Sequence, residues 1–99
     1  MTRREAFEMF LMDRKLSGRS PRTLLYYRHT LTPFISDLDV ATLPEAIQPH
    51  YAALLERGLS AVSMHTHHRG IKAFCRFCEA EGFLADPIRL PRVMKPKTN

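Results

Sequence analysis

Apolar positions recur along this chain at helical spacing, and glycine and proline divide them into four segments. In the first, roughly Thr2 to Leu16, Phe7, Phe10, Leu11 and the stem of Arg14 share one helical face, and Ser17-Gly18 ends the segment. Ser20 then suits a helix cap, because its hydroxyl accepts from a first-turn amide, and Pro21 suits the first helical position, where its missing N–H costs nothing. Leu24, Tyr27, Leu31, Phe34, Ile35 and Leu38 continue the stripe, with Tyr27 packing on the core and its hydroxyl at the rim. Pro33 interrupts this pattern. It removes a backbone donor and disfavours helical geometry at Thr32, which predicts a kink or break there, before an acidic connection over Asp37 to Thr42.

A third, shorter helix is predicted with Ile47, Tyr51, Leu54 and Leu55 on one side, Pro49 in its first turn and Gly58 as its C-terminal cap. The fourth starts at Ser60 or Ser63 and runs to Glu81, where Gly82 stops it. At about five turns it is the expected central helix. No run alternates as a strand does, so the fold class is all-α. One domain is expected over residues 1–88, and the Pro-rich basic stretch 89–99, which lacks a core pattern, reads as an interdomain linker.

Composition narrows the setting. Ninety-nine residues at 44% hydrophobic content suffice for one core. No run reaches the roughly 18 to 20 apolar residues of a membrane span, and Met1 to Glu5 has no signal-peptide character, so a cytoplasmic protein without a membrane partner is expected. Cys75 and Cys78 lie on the apolar side of the fourth segment, which favours core packing over a disulfide framework or a redox pair. Zinc held by these cysteines with His65, His67 and His68 is disfavoured: His68 precedes Cys75 by about 10 Å along one helix, too far to share an ion. Neither a metal nor a cofactor is expected.

The net charge of +5 is unevenly spread. Arg14 to Ser36 holds five Lys or Arg and no acid, Asp37 to Glu56 four acids and no Lys or Arg, and Arg57 to Cys78 four bases, three histidines and no acid. On a wheel of the fourth segment, Met64, His67, Ile71, Phe74, Cys75 and Cys78 share one face. His65, Arg69, Lys72 and Arg76 line up opposite, a row suited to a phosphate-lined groove. On the second helix Arg22, Tyr26 and His29 lie opposite the apolar stripe, with Lys15 and Arg19 just before the cap. Ser20, Thr23 and Tyr26 are hydrogen-bonding groups of the kind that fix register on a phosphate backbone, and Ser20 also serves as the cap. An ordinary solvated face has the same pattern, so charge alone leaves both readings open.

The order of motifs adds a resemblance. Ser20-Pro21-Arg22-Thr23-Leu24-Leu25-Tyr26-Tyr27, then Leu31 and Phe34, resembles the Ser-x-x-Thr-x-x-x-Tyr and Leu-x-x-Phe signature that opens the second helix of tyrosine recombinase core-binding domains. Gly58-Leu59-Ser60 with Ser63-Met64, Ile71-Lys72-Ala73-Phe74-Cys75-Arg76-Phe77 and Glu81-Gly82-Phe83-Leu84-Ala85-Asp86-Pro87 are similar to the family's later segments. The resemblance covers almost the whole chain. Asp86 departs from the usual Asn, and His67, His68 and Gly70 interrupt a stretch usually more basic and aliphatic.

The resemblance implies a compact four-helix orthogonal bundle of the SAM-like kind, the N-terminal arm of a phage integrase. In that family the arm and a following catalytic domain clamp double-stranded DNA, with the second and fourth helices against the major groove. The implied DNA-binding residues are Lys15, Arg19, Ser20, Arg22, Thr23, Tyr26, His29, His65, Arg69, Lys72 and Arg76. The implied partners are duplex DNA, the chain's own C-terminal catalytic domain and neighbouring recombinase protomers in a synaptic complex. Strand cleavage belongs to that following domain; these residues contain no His-x-x-Arg motif, and Tyr26, Tyr27 and Tyr51 are not read as nucleophiles. Two alternatives stand beside this: a stand-alone DNA-binding regulator, and a protein-interaction module using Met9 and Met12, which lie off the apolar face.

Overall fold

Thr2 starts the first helix. Its hydroxyl accepts from the Glu5 amide at 3.1 Å while the Glu5 carboxylate accepts from the Thr2 amide at 2.9 Å, so two otherwise unpaired donors are satisfied reciprocally. The computed structural model describes residues 1–96, in which α1 runs Arg3–Leu16, α2 Pro21–Leu31, α3 Leu43–Glu56 and α4 Ala61–Ala80. Ser20 caps α2 by accepting from the Thr23 amide at 3.2 Å, and Ser60, rather than Ser63, caps α4 in the same way. Gly58 and Gly82 stand just past α3 and α4 at φ +66° and +75°, the left-handed conformation that closes a helix. The fold is all-α, and the described residues contain no strand.

The break at Pro33 is present. Beyond Leu31 the chain tightens into a 3-10 turn, Thr32–Phe34, which carries Phe34 into the core. A second such turn, Val40–Thr42, is capped by Asp39 accepting from the Ala41 amide at 2.8 Å and leads straight into α3. Because α2 ends early, its stripe does not reach Leu38, which is 56% exposed.

The third helix corrects the sequence reading. It has 14 residues, as many as α1, and Pro44 rather than Pro49 occupies its first turn. Either proline fits a first turn, and the pattern alone favoured the wrong one. Pro49 lies in the interior but on the exposed side, so the Glu45 carbonyl, deprived of its partner, also lies on the water side. Leu55 is 69% exposed, not core, since Leu54 beside it takes the inward position.

The core joins α1, α2 and α4 around Phe10. Its ring meets Tyr27 at 4.9 Å, Phe77 at 5.4 Å and Phe74 at 5.5 Å between centroids, all edge-on, with the Arg14 guanidinium 5.0 Å from its centroid. Tyr27 thus packs as expected. Arg3 is buried and donates to the Thr42 hydroxyl at 3.1 Å and the Thr42 carbonyl at 2.9 Å. The Arg3 and Arg4 amides donate to the Leu38 and Ser36 carbonyls at 2.8 and 3.0 Å, so the start of α1 stitches down the acidic connection.

The packed region also extends past the expected boundary. Ile88, the last residue of the expected domain, is buried and held to the C-terminal end of α4, and beyond it Leu90 and Val93 pack against the core. Residues 91–94 line one side of a groove of about 470 Å³ whose other side includes Leu55, Leu59 and Met64. The end of the expected linker, 97–99, lies outside the described residues. No described helix is long and apolar enough to cross a membrane.

Candidate nucleic-acid interface

The candidate surface is built on the seam between α2 and α4, and Gly70 is the reason the seam is tight. A Cβ at that position would stand 2.9 Å from Thr30 Cγ2 and 3.0 Å from the Tyr26 hydroxyl. Lacking one, α4 lets Tyr26 lie across it and donate its hydroxyl to the Thr66 carbonyl. Tyr26 was expected on the outer polar face; it is instead half-buried, tying the two helices together. Burial raises its pKa, with nearby Arg69 acting in the opposite direction.

Around this tie, Arg22 and His29 on α2 and Arg69 and Lys72 on α4 are exposed, and none of the four forms an ion pair among the described residues. Lys15 and Arg19 are exposed at the end of α1 and in the turn that follows. The hydroxyls of Ser20 and Thr23 lie 3.1 Å apart and belong to the α2 cap.

The row expected on α4 is realised at its centre and diverted at its ends. Arg76 donates to Glu79 at 2.5 Å and to the Ile88 carbonyl at 3.2 Å, while the same Glu79 oxygen accepts from the Ile88 amide at 2.9 Å. This clamp fastens the exit segment to α4. His65 is half-buried, its ring 6.4 Å from that of His68, whose Nδ1 lies 2.6 Å from the Tyr51 hydroxyl.

No family model, curated protein or solved structure matches this chain. The chemistry of the surface therefore rests on its own residues. Cys75 and Cys78 are buried, and burial pushes both thiols up to about 12, so they pack as apolar groups. No three His, Cys, Asp or Glu side chains among the described residues are grouped to hold a metal ion.

Two charged groups on these elements were not anticipated. Arg28 is exposed on α2 and pairs with Glu8 at 3.6 Å. Arg57, just past α3, lines a pocket with His29, His50 and His67. No signal in the sequence marks the convergence of Arg57 with histidines from three helices.

The pKa values of His50, His67 and His68 are all lowered, first by burial and then by cationic neighbours: His67 and Arg57 for His50, Arg57 and His29 for His67, Lys72 and His65 for His68. Unfolding would return each to the ordinary value near 6.5, so below that pH the unfolded chain binds more protons. The stability these neutral rings contribute is fully present above 6.5 and is lost as pH falls through the folded values. A urea midpoint lower at about pH 5.5 than at about pH 7.5 is the expected result, and equal midpoints would contradict it.

Proposed function

We propose that this chain is the DNA-binding arm of a tyrosine recombinase or phage integrase, with duplex DNA lying across α2 and α4. One observation carries the reading: the Gly70–Tyr26 seam unites the exposed bases of two helices into a single surface. α2 contains no acid, and the one acid of α4, Glu79, is held by Arg76. Arg22, His29, Arg69 and Lys72 are thus the unpaired groups that meet phosphates, with Lys15 and Arg19 extending the surface at one end. Arginine and lysine in a major groove also meet guanine edges. The ordered motifs from Ser20 to Pro87 support the family assignment.

Strand cleavage is assigned to a separate catalytic domain, the arm's partner in closing around DNA. The tyrosines here have other work: Tyr26 ties the seam, Tyr27 packs on Phe10, and Tyr51 is buried beside His68. Met9, Met12 and Leu16 are 43, 56 and 80% exposed along α1, an apolar strip suited to contact with neighbouring protomers.

The test is a titration against duplex DNA at several salt concentrations. Affinity is expected to fall steeply with salt, and Arg69→Gln or Lys72→Gln each to flatten the log–log slope by about one unit. Arg76→Gln is expected to change the slope less, because that side chain is already engaged. Slopes unchanged by Arg69→Gln and Lys72→Gln would remove α4 from the interface.

A further inference from the structure

A second basic feature lies at the edge of this surface. His29 of α2, His50 of α3, Arg57 just past α3 and His67 of α4 line an open pocket of about 370 Å³, completed by Thr30, Thr32 and Pro33. No carboxylate lines it. His50 Nε2 and His67 Nδ1 are buried without a hydrogen-bond partner, so in each ring the other nitrogen is the one that can donate to a ligand in the pocket. The His50 ring is held edge-on against Phe34 at 4.7 Å, so its position is fixed by packing.

A site with three imidazoles and a guanidinium but no acid has lone donors and no internal counter-charge. The imidazoles are not grouped to hold a metal ion, which would need three nitrogens at bonding distance from one point. What the pocket lacks is negative charge with several acceptor oxygens. We propose that it binds a tetrahedral oxyanion of the phosphate class, with Arg57, His50 and His67 as donors and His29 at the rim.

Binding is linked to protons. Burial and the neighbouring groups hold His50 and His67 below their ordinary pKa, whereas an anion between them favours the charged rings. The titratable and charged groups lining this site are Arg57, His29, His50 and His67. Uptake of protons on binding makes affinity rise as pH falls. The occupant is either a backbone phosphate of bound duplex or a free phosphate, since both present the same oxygens; only the first of these sources rests on the DNA-binding reading.

The experiment follows the imidazole C–H resonances of the intact chain by NMR at constant ionic strength, with inorganic phosphate, sulfate or a short duplex as probe. Saturable shifts of His50 and His67 with phosphate are expected, with His65 unmoved. Arg57→Gln, at an exposed position beyond the helix, is expected to weaken binding roughly tenfold while the chain stays folded. Sulfate, whose charge does not change in this range, is expected to bind more tightly at about pH 5.5 than at about pH 7.5. Shifts with duplex alone would support the pocket and identify a backbone phosphate as the occupant. No saturable shift with any probe, or equal binding by Arg57→Gln, would overturn the proposal. Duplex that binds without moving His50 and His67 would overturn the pocket and leave the α2–α4 surface standing. Phosphate binding without duplex binding would do the reverse.

Discussion

Phe10→Ala is expected to lower the unfolding free energy by about 3–5 kcal/mol. Phe10 is fully buried, and its ring meets three others from two helices: Tyr27 from α2, and Phe74 and Phe77 from α4. Truncation removes the transfer energy of the ring and leaves a cavity walled by other aromatic rings, which cannot collapse without moving helices. The Arg14 guanidinium also loses the face on which it rests, and its Nε is already buried without a hydrogen-bond partner, 3.9 Å from the Asp13 carboxylate. Against a total of about 5–15 kcal/mol for an ordinary domain, this leaves the variant near the threshold of folding. Urea denaturation measures it. The comparison is Leu16→Ala on the same helix, where an 80% exposed side chain is expected to matter by no more than about 0.5 kcal/mol. Equal losses at the two sites would mean that Phe10 is not the centre of the core.

The contrast between Phe10 and Leu16 was legible in the sequence, because α1 has an unbroken helical period between a capping threonine and Ser17-Gly18. The start of α2 at Ser20-Pro21 and the period of α4 up to Gly82 were legible in the same way, whereas the α2 stripe was carried on to Leu38 and the α4 cap stayed open between Ser60 and Ser63. The reading failed where local signals compete. Pro44 and Pro49 both suit a first turn, and only packing of Leu43 and Ile47 into the core decides between them. It also failed where partners are distant in the chain. Nothing local announces that Arg3 pairs with Thr42, or that residues 90 and 93 fold back on the core.

The candidate surface divides along the same line. Exposed bases at 22, 69 and 72 follow from helical period alone, since any charged residue opposite an apolar stripe meets water. Tyr26 does not follow, because its half-buried position depends on the absence of a side chain at Gly70 on another helix. Arg76 likewise sits on the expected face but is claimed by Glu79, one turn on along α4, and by Ile88, which becomes a neighbour only when the chain turns at Gly82. The pocket of Arg57 and three histidines belongs to tertiary structure: His29 and His67 carried other readings, His50 and Arg57 carried none, and only the packing of three helices gathers the four.

Gly70→Val is the sharpest test of that seam, with an expected loss of about 2–3 kcal/mol. A glycine in mid-helix ordinarily costs stability, and replacing it would by itself gain up to about 1 kcal/mol. Here the new Cβ meets Thr30 Cγ2 at 2.9 Å and the Tyr26 hydroxyl at 3.0 Å, and valine adds two further methyl groups. Neither neighbour yields easily: Thr30 is 3% exposed, and the Tyr26 hydroxyl is committed to Thr66. The helices must therefore move apart, and overpacking outweighs the gain in helix propensity. Thr30→Ser removes the nearest methyl and keeps the hydroxyl, so Gly70→Ala is expected to cost less in that background, with a coupling of at least about 0.5 kcal/mol in a double-mutant cycle. A Gly70→Val variant as stable as the parent would show that α2 and α4 do not approach so closely. In a folded Gly70→Val variant, the wedge changes the spacing of Arg22 and His29 from Arg69 and Lys72. Duplex affinity should then fall although every base is retained, which separates the geometry of the surface from its charge.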